Sequence, residues 1–347
     1  MPTRPLTRRR ATTSPAAALV AASALLVLAG CASGAAGGAA GGGAGAPGDE
    51  EPGAATSGYP LTIDNCGTEV TFGQAPEQVV TIKSSTLELM LALGLEDRIV
   101  GAAFTDGPVP DEFADAAADV EILSDKVPSQ EATLAAEPDL VFAGWESNLT
   151  AEGAGDRATL EQLGVHTYVA PAACQGDGYR PDPLTFDGVF EGFEEAGAIF
   201  GVDGAAADLV AEQRAALDAI EPNDEGLTAL WYSSGDDQPF VGGGTGAPQM
   251  IMDAAGLENV VGEVRDSWTS LSWEAVVDAD PDVIVLVDAA WNTAESKIEK
   301  LEANPATAAM PAVQQGRYVI VDFPATEAGV RNVDAVASIV DQLGKLG

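Results

Sequence analysis

Residues 129–140 read SQEATLAAEPDL, and residues 272–283 read SWEAVVDADPDV. Both fit Ser-x-Glu-Ala-x4-[Asp/Glu]-Pro-Asp-[Leu/Val]. The Ser can accept a hydrogen bond from a first-turn amide and so cap a helix. The Glu stands where the positive end of the helix dipole favours a carboxylate. About two turns follow, then a Pro that cannot continue the helix. An apolar strand comes next, Leu140–Ala143 in one copy and Val283–Val287 in the other. Upstream, GLEDRIVG at 94–101 resembles GLENVVG at 256–262. Two matches in the same order point to an internal duplication rather than to chance similarity between αβ joints.

The surrounding stretches agree. Gln78–Ile82 reads as a strand, and Ser85-Thr86-Leu87-Glu88 as a capping box. Leu87, Met90 and Leu91 have helical spacing, Gly94 stops the helix, and Ile99–Ala103 is the next strand. Strand, helix, strand predicts a parallel sheet. Two similar α/β lobes are therefore expected, at 59–186 and 225–347. Residues 187–224 join them and are helical in pattern, with Leu209, Val210, Leu217 and Ile220 as contact positions and Pro222-Asn223-Asp224 as the stop. A single helix there would make a stiff hinge with little lobe closure.

The 347-residue chain carries 54 Asp and Glu against 16 Lys and Arg, a formal charge of −38. That balance excludes an electrostatic nucleic-acid binder, which needs a basic face. At 46% hydrophobic residues the chain has enough apolar material for real cores. Arg4, Arg8, Arg9 and Arg10 precede an apolar run, Ala16–Ala29, that is too short for an ordinary membrane span and suits a signal peptide. The run ends in Leu28-Ala29-Gly30-Cys31, the pattern of a bacterial lipoprotein signal over residues 1–30, with Cys31 lipidated; the alternative is a plain signal peptide with an incidental Cys. Residues 31–58, rich in Gly and Ala, read as a flexible tether with a reach of roughly 30 Å. The expected location is the extracytoplasmic face of the cell membrane, held there by the lipid anchor. Cys66 and Cys174 remain, a candidate disulfide in an oxidising compartment, or else two buried thiols.

The ordered set PEQVVTIKSSTLELMLALGLEDRIVG (76–101), EATLAAEPDLVFAG (131–144) and SWTSLSWEAVVDADPDVIVL (267–286) resembles the iron–siderophore and vitamin B12 class of ABC-transporter substrate-binding proteins. The resemblance covers nearly all of 60–347. It implies an α/β fold of two Rossmann-like lobes bridged by one long helix, with a small-molecule ligand held in the cleft. It also implies delivery to an ABC permease and its ATPase subunits, with the carrier acting as a monomer. By the same resemblance, Glu131 and Glu274, the Glu of each repeat, would meet arginines of the permease; both also stabilise helix N-termini. GWESNLTAEGAG (144–155), the Cys174 segment and DFPATEAGVRNVDAV (322–336) are similar to an actinobacterial branch of carriers for a deazaflavin coenzyme precursor.

Ligands of open α/β lobes sit outside the carboxyl ends of the strands. That rule selects Lys83, Ser84 and Ser85 after the first strand, and Trp145, Glu146 and Asn148 after Leu140–Ala143. In the second lobe it selects Tyr232 and Ser233, then Asp288, Trp291 and Asn292, then Glu327 and Arg331. Trp145 and Trp291 fall in corresponding places, and two facing aromatics suit a flat ring or macrocycle; core packing is the alternative for each. Lys83 and Arg331 stand out in a chain with so few cations and could hold a phosphate or carboxylate, or be salt-bridged. Trp268-Thr269-Ser270 ranks lower as a cleft loop. Gly242–Ala247 loosely fits G-x-G-x-x-A before a helix, which allows a phosphate cradle, although a plain loop is the commoner meaning.

With one His and no nucleophile motif, no catalytic residue is expected, nor an intrinsic cofactor or a His-rich metal site. The carried ligand would itself be a cofactor, a precursor or a siderophore chelate. An exported enzyme acting on such a molecule is the alternative, and an adhesive surface protein a third class.

Overall fold

The structure is a computed structural model that describes residues 58–346. The signal stretch, Cys31 and all of the tether but Gly58 lie outside the described residues. The described chain opens with a hairpin of β1 (Leu61–Asn65) and β2 (Thr68–Phe72). Then come β3 (Val79–Ile82), α1 (Ser84–Ala92), β4 (Ile99–Ala103), β5 (Ile122–Ser124), α2 (Gln130–Ala135), β6 (Leu140–Ala143), α3 (Arg157–Gln162) and β7 (His166–Val169). These five strands form a wholly parallel sheet in the order β5-β4-β3-β6-β7.

Two helices follow, α4 (Phe186–Phe200) and α5 (Asp203–Asp218). The second lobe contains β8 (Thr228–Ser234), β9 (Phe240–Gly242), α6 (Ala247–Ala255), β10 (Glu258–Asn259), β11 (Trp268–Ser270), α7 (Trp273–Ala279), β12 (Val283–Asp288), α8 (Ala294–Ala303), α9 (Pro311–Gln314), β13 (Tyr318–Asp322) and α10 (Asn332–Leu346). Its sheet runs β11-β9-β8-β12-β13, with β10 beside β8. β8, β12, β13 and β10 are parallel, whereas β9 runs antiparallel to both of its neighbours, β8 and β11. No helix among the described residues is long and apolar enough to cross a membrane.

The repeated motif builds the same joint in both lobes. Ser129 accepts from the Ala132 amide and Ser272 from the Ala275 amide, each at 3.2 Å. The residue before Pro is left-handed in both, Glu137 at φ 52° and Asp280 at φ 42°. A following Pro disfavours the right-handed helical region, so the helix must end there. The motif Asp then grips the start of the neighbouring strand. Asp139 accepts from the Glu77 and Gln78 amides at 2.8 and 3.0 Å, and Asp282 from the Thr228 amide at 2.9 Å. Each motif thus delivers its strand, β6 or β12, parallel to the first strand of its lobe. The upstream matches also correspond, because β4 pairs parallel with β3 and β10 with β8.

Two local expectations are corrected. The capping box at Ser85 and Glu88 does not form. The helix starts one residue earlier, at Ser84 behind Lys83, and Glu88 is drawn away by Arg331. The connector is helical but is not a single rod. Gly201, left-handed at φ 69°, ends α4, and α5 returns antiparallel beside it. Asp187 at one end of the pair bonds Arg214, while near the turn a Cβ on Gly197 would lie 2.4 Å from that of Ala206. Two small residues allow the close approach that folds the segment back.

One apolar cluster runs through both lobes. It joins Val79, Phe142 and Tyr168 of the first sheet, Phe190, Phe193 and Phe200 of α4, Trp231 and Val285 of the second sheet, and Val336 and Ile339 of α10. Cys66, in the β1–β2 turn, is bonded to Cys174, with Cα atoms 5.2 Å apart.

Candidate functional site

A cleft of about 430 Å³ opens between the lobes. The first lobe lines it with Ser85, Trp145, Glu146 and Ser147, the second with Ser233, Phe240, Thr245, Trp268, Phe323 and Glu327. Residues 175–184 add Gln175, Arg180 and Leu184 along its rim. This segment reaches both lobes: Tyr179 donates to Asp64, whereas Arg180 pairs with Asp266 and the Leu184 amide donates to the Thr245 carbonyl.

Aromatic faces dominate the walls. Trp145 is half-buried at the end of β6 and meets Phe104 edge-on, with ring centroids 5.4 Å apart. On the opposing lobe Phe240 and Trp268 stack at 5.6 Å with planes 14° apart. They come from paired antiparallel strands, where cross-strand neighbours lie close enough to stack. Among the described lining residues there is no His, Tyr, Cys or Met.

Beneath Trp145 lies a buried ionic cluster. Lys83 is fully buried, and its ammonium is 2.5 Å from Asp106 and 3.3 Å from Glu327. It also sits 3.8 Å from the Trp145 ring centroid and 4.3 Å from that of Phe104. Burial pushes the Glu327 carboxyl up to about 7, and Lys83 opposes that rise. Asp106 is raised for the same reason. The Lys83 backbone has φ 91° and ψ 151°, a region strained for any residue with a side chain. A second ion pair crosses the lobes, where Arg331 of the second binds both carboxylate oxygens of Glu88 in the first and the Pro108 carbonyl.

The structure thus brings Ser85, Trp145, Glu146 and Ser233 together on the cleft. Glu146 also accepts from the Gln175 amide. Lys83 and Ser84 lie one layer below, and the Ser84 hydroxyl accepts from the Asp106 amide. Neither Lys83 nor Arg331 is a free cation facing the cleft. Tyr232 lies inside β8, fully buried, and donates to the Gly235 carbonyl. Asp288, the last residue of β12, accepts from the Ala294 amide at the start of α8. Trp291 is 63% exposed and packs edge-on against Phe323, outside the cleft. The second lobe's aromatic wall is Trp268 with Phe240, which sequence reasoning ranked low or missed. Glu131 and Glu274 are exposed in the first turns of α2 and α7.

Two sheet-bearing lobes around an aromatic cleft define a ligand-binding protein of the two-lobed type. The periplasmic binding protein family model matches residues 79–325, and the chain belongs to that family of binding proteins rather than enzymes. A "Cobalamin-binding protein" of Halobacterium salinarum is 30% identical over 242 residues, 65% of this chain and 58% of that protein, so the match spans little more than half of that relative. YvrC of Bacillus subtilis, described as an uncharacterized ABC transporter substrate-binding lipoprotein, is 25% identical over 86% of this chain and 91% of its own. The solved structure of an ABC-type Fe3+-hydroxamate transport system from Saccharomonospora viridis superposes with a TM-score of 0.71 at 27% identity, covering 82% of this chain and 99% of that one.

Proposed function

We propose that the chain is the substrate-binding lipoprotein of an ABC importer. Anchored through Cys31 on the outer face of the cell membrane, it captures an organic or metal-organic cofactor and passes it to a permease driven by ATPase subunits. The ligand classes in view are a ferric siderophore, a cobalamin and a deazaflavin coenzyme precursor.

The single observation that carries this is the cleft itself, walled by Trp145 on one lobe and by the Trp268–Phe240 stack on the other. Opposed aromatic faces suit a flat or macrocyclic ring system. A volume of about 430 Å³ lies in the range of small-molecule sites. A compact ring fits inside it, whereas a large macrocycle would stand partly in solvent. The similarity to a cobalamin-binding protein and to a hydroxamate-transport protein supports the same ligand class. Glu131 and Glu274, at matching places on the two lobes, are the proposed contacts for the permease. The perturbed carboxyl of Glu327 does not favour an enzyme, because it is held by Lys83 and family membership points to binding.

The test is mass spectrometry of small molecules that copurify with the full chain under non-denaturing conditions. A stoichiometric ring-bearing cofactor, precursor or chelate is expected. A sugar, peptide or bare metal ion in its place would overturn the ligand class.

A further inference from the structure

Where β9 turns into α6, the second lobe presents a run of unused hydrogen-bond donors to the cleft. Gly242–Gly246 packs against residues 262–267 so closely that a Cβ on Gly244 would lie 1.9 Å from the Gly262 carbonyl oxygen, and one on Gly243 2.2 Å from that of Asp266. The glycines therefore fix the path of the loop. Thr245, Gly246 and Ala247 line the cleft. Among the described residues, none of their three amides has an acceptor, nor does that of Gln249. Gly246 caps the nine-residue α6 with no side chain on the orphan amides, and Pro248 stands in the first turn.

Thr245 gives a second, independent sign. It is 3% exposed, and its hydroxyl has no hydrogen-bond partner. A buried hydroxyl left unpaired is costly, and native proteins rarely leave one without a reason. Arg180 lies on the same cleft, bonded to Asp266, whose backbone abuts Gly243. Both members of that pair are exposed, so the guanidinium keeps donors that an anion could share in a chain of net charge −38. Helix dipole, free amides, unpaired hydroxyl and guanidinium converge on one wall.

We infer that the α6 entrance is an anion subsite within the cleft, and that the cargo carries a phosphate group which docks there while its ring lies between Trp145 and Trp268. The inference rests on the ring-binding function proposed above and adds the chemical class of the ring's substituent. Tetrahedral phosphate oxygens can accept from several converging amides at once.

Riboflavin and riboflavin 5′-phosphate, two flat-ring probes differing only in the phosphate, test this by quenching of tryptophan fluorescence in the full chain. The phosphate ester should bind about tenfold or more tightly than riboflavin. Inorganic phosphate should erode that advantage, and acetate should not. Thr245→Val, close in shape and free of the unpaired hydroxyl, should bring the ratio of the two affinities near one without lowering the melting temperature. Arg180→Gln should reduce the ratio part of the way. Equal binding of both probes by the unaltered chain, or a ratio indifferent to Thr245→Val, overturns the subsite and leaves the ring-binding function standing. Failure of both probes to quench overturns the subsite as stated, and the copurified molecule decides the ring-binding function separately.

Discussion

Lys83 shows how one residue can shape a site without facing it. Its ammonium is boxed by Asp106, Glu327, Trp145 and Phe104, and its backbone is held in a strained conformation. Substitution by Met would leave two buried carboxylates without their cation. Removing one partner of a buried pair costs roughly 3–5 kcal/mol, so Lys83→Met should lower the midpoint of urea unfolding by a corresponding amount. Trp145→Ala should behave differently. Trp145 is half-buried on the cleft wall, so cargo affinity should fall about tenfold or more, while the melting temperature shifts by only a few degrees. Unaltered affinity for the copurified cargo would remove Trp145 from the site.

Glu327 gives the pH signature. Its carboxyl ordinarily titrates near 4.5, and burial raises it to about 7 in the folded chain. The folded state therefore holds this proton where the unfolded state has released it. The stability so gained is complete below about 4.5 and is lost as pH rises toward about 7. Glu327→Gln should flatten that part of a melting temperature against pH profile. The raised carboxyls of Glu88, Asp106, Glu195 and Asp253 keep a shallower slope of the same sign. An unchanged profile would show that Glu327 titrates normally.

Among the elements, the α4–α5 hairpin is the most sensitive to a single methyl group. Gly197→Ala places a Cβ 2.4 Å from that of Ala206, a short side chain with nowhere to retreat. Ala favours a helix over Gly by up to about 1 kcal/mol, but overpacking costs about 1–3 kcal/mol. A net loss of roughly 1 kcal/mol is expected in calorimetry. The double variant Gly197→Ala with Ala206→Gly should recover much of the packing loss, and simple additivity would rule out this contact as the cause.

The same scale shows what can be read from residues alone. Ser129, Glu137, Pro138 and Asp139, with their counterparts at 272–282, announce the two lobes because capping and helix stopping are local chemistry. Gly201 carried its signal too, yet a left-handed Gly only says that a helix ends, not where the chain turns next. The Arg331–Glu88 pair spans 243 residues of sequence and leaves no local trace. Trp268 ranks low in the sequence for a similar reason. Its partner Phe240 sits on a three-residue strand that follows an Asp- and Gly-rich turn, and only their antiparallel pairing makes them one surface. Trp291 follows a strand end yet lies outside the cleft, because the strand-end rule gives the right edge of a sheet but not which way a loop faces.

At the scale of the whole molecule, Glu131 and Glu274, both exposed in the first turns of α2 and α7, are the contacts proposed for a permease. Each follows the Ser cap of the repeated motif, Ser129 or Ser272, and so holds the same place in its lobe. Glu131→Arg with Glu274→Arg should abolish uptake of the cargo by cells, while affinity of the isolated chain for it stays the same. Charges of this kind set encounter rate and orientation more than strength. Loss of affinity, or intact uptake, would end the docking assignment.

The apolar cluster that runs unbroken through both lobes has a consequence for unloading. Parting the lobes of the proposed carrier would break into that packing. Something must wedge the halves apart, against packed side chains and the Arg331–Glu88 clasp. On the proposed delivery to a permease, discharge is then mechanical work done by the recipient.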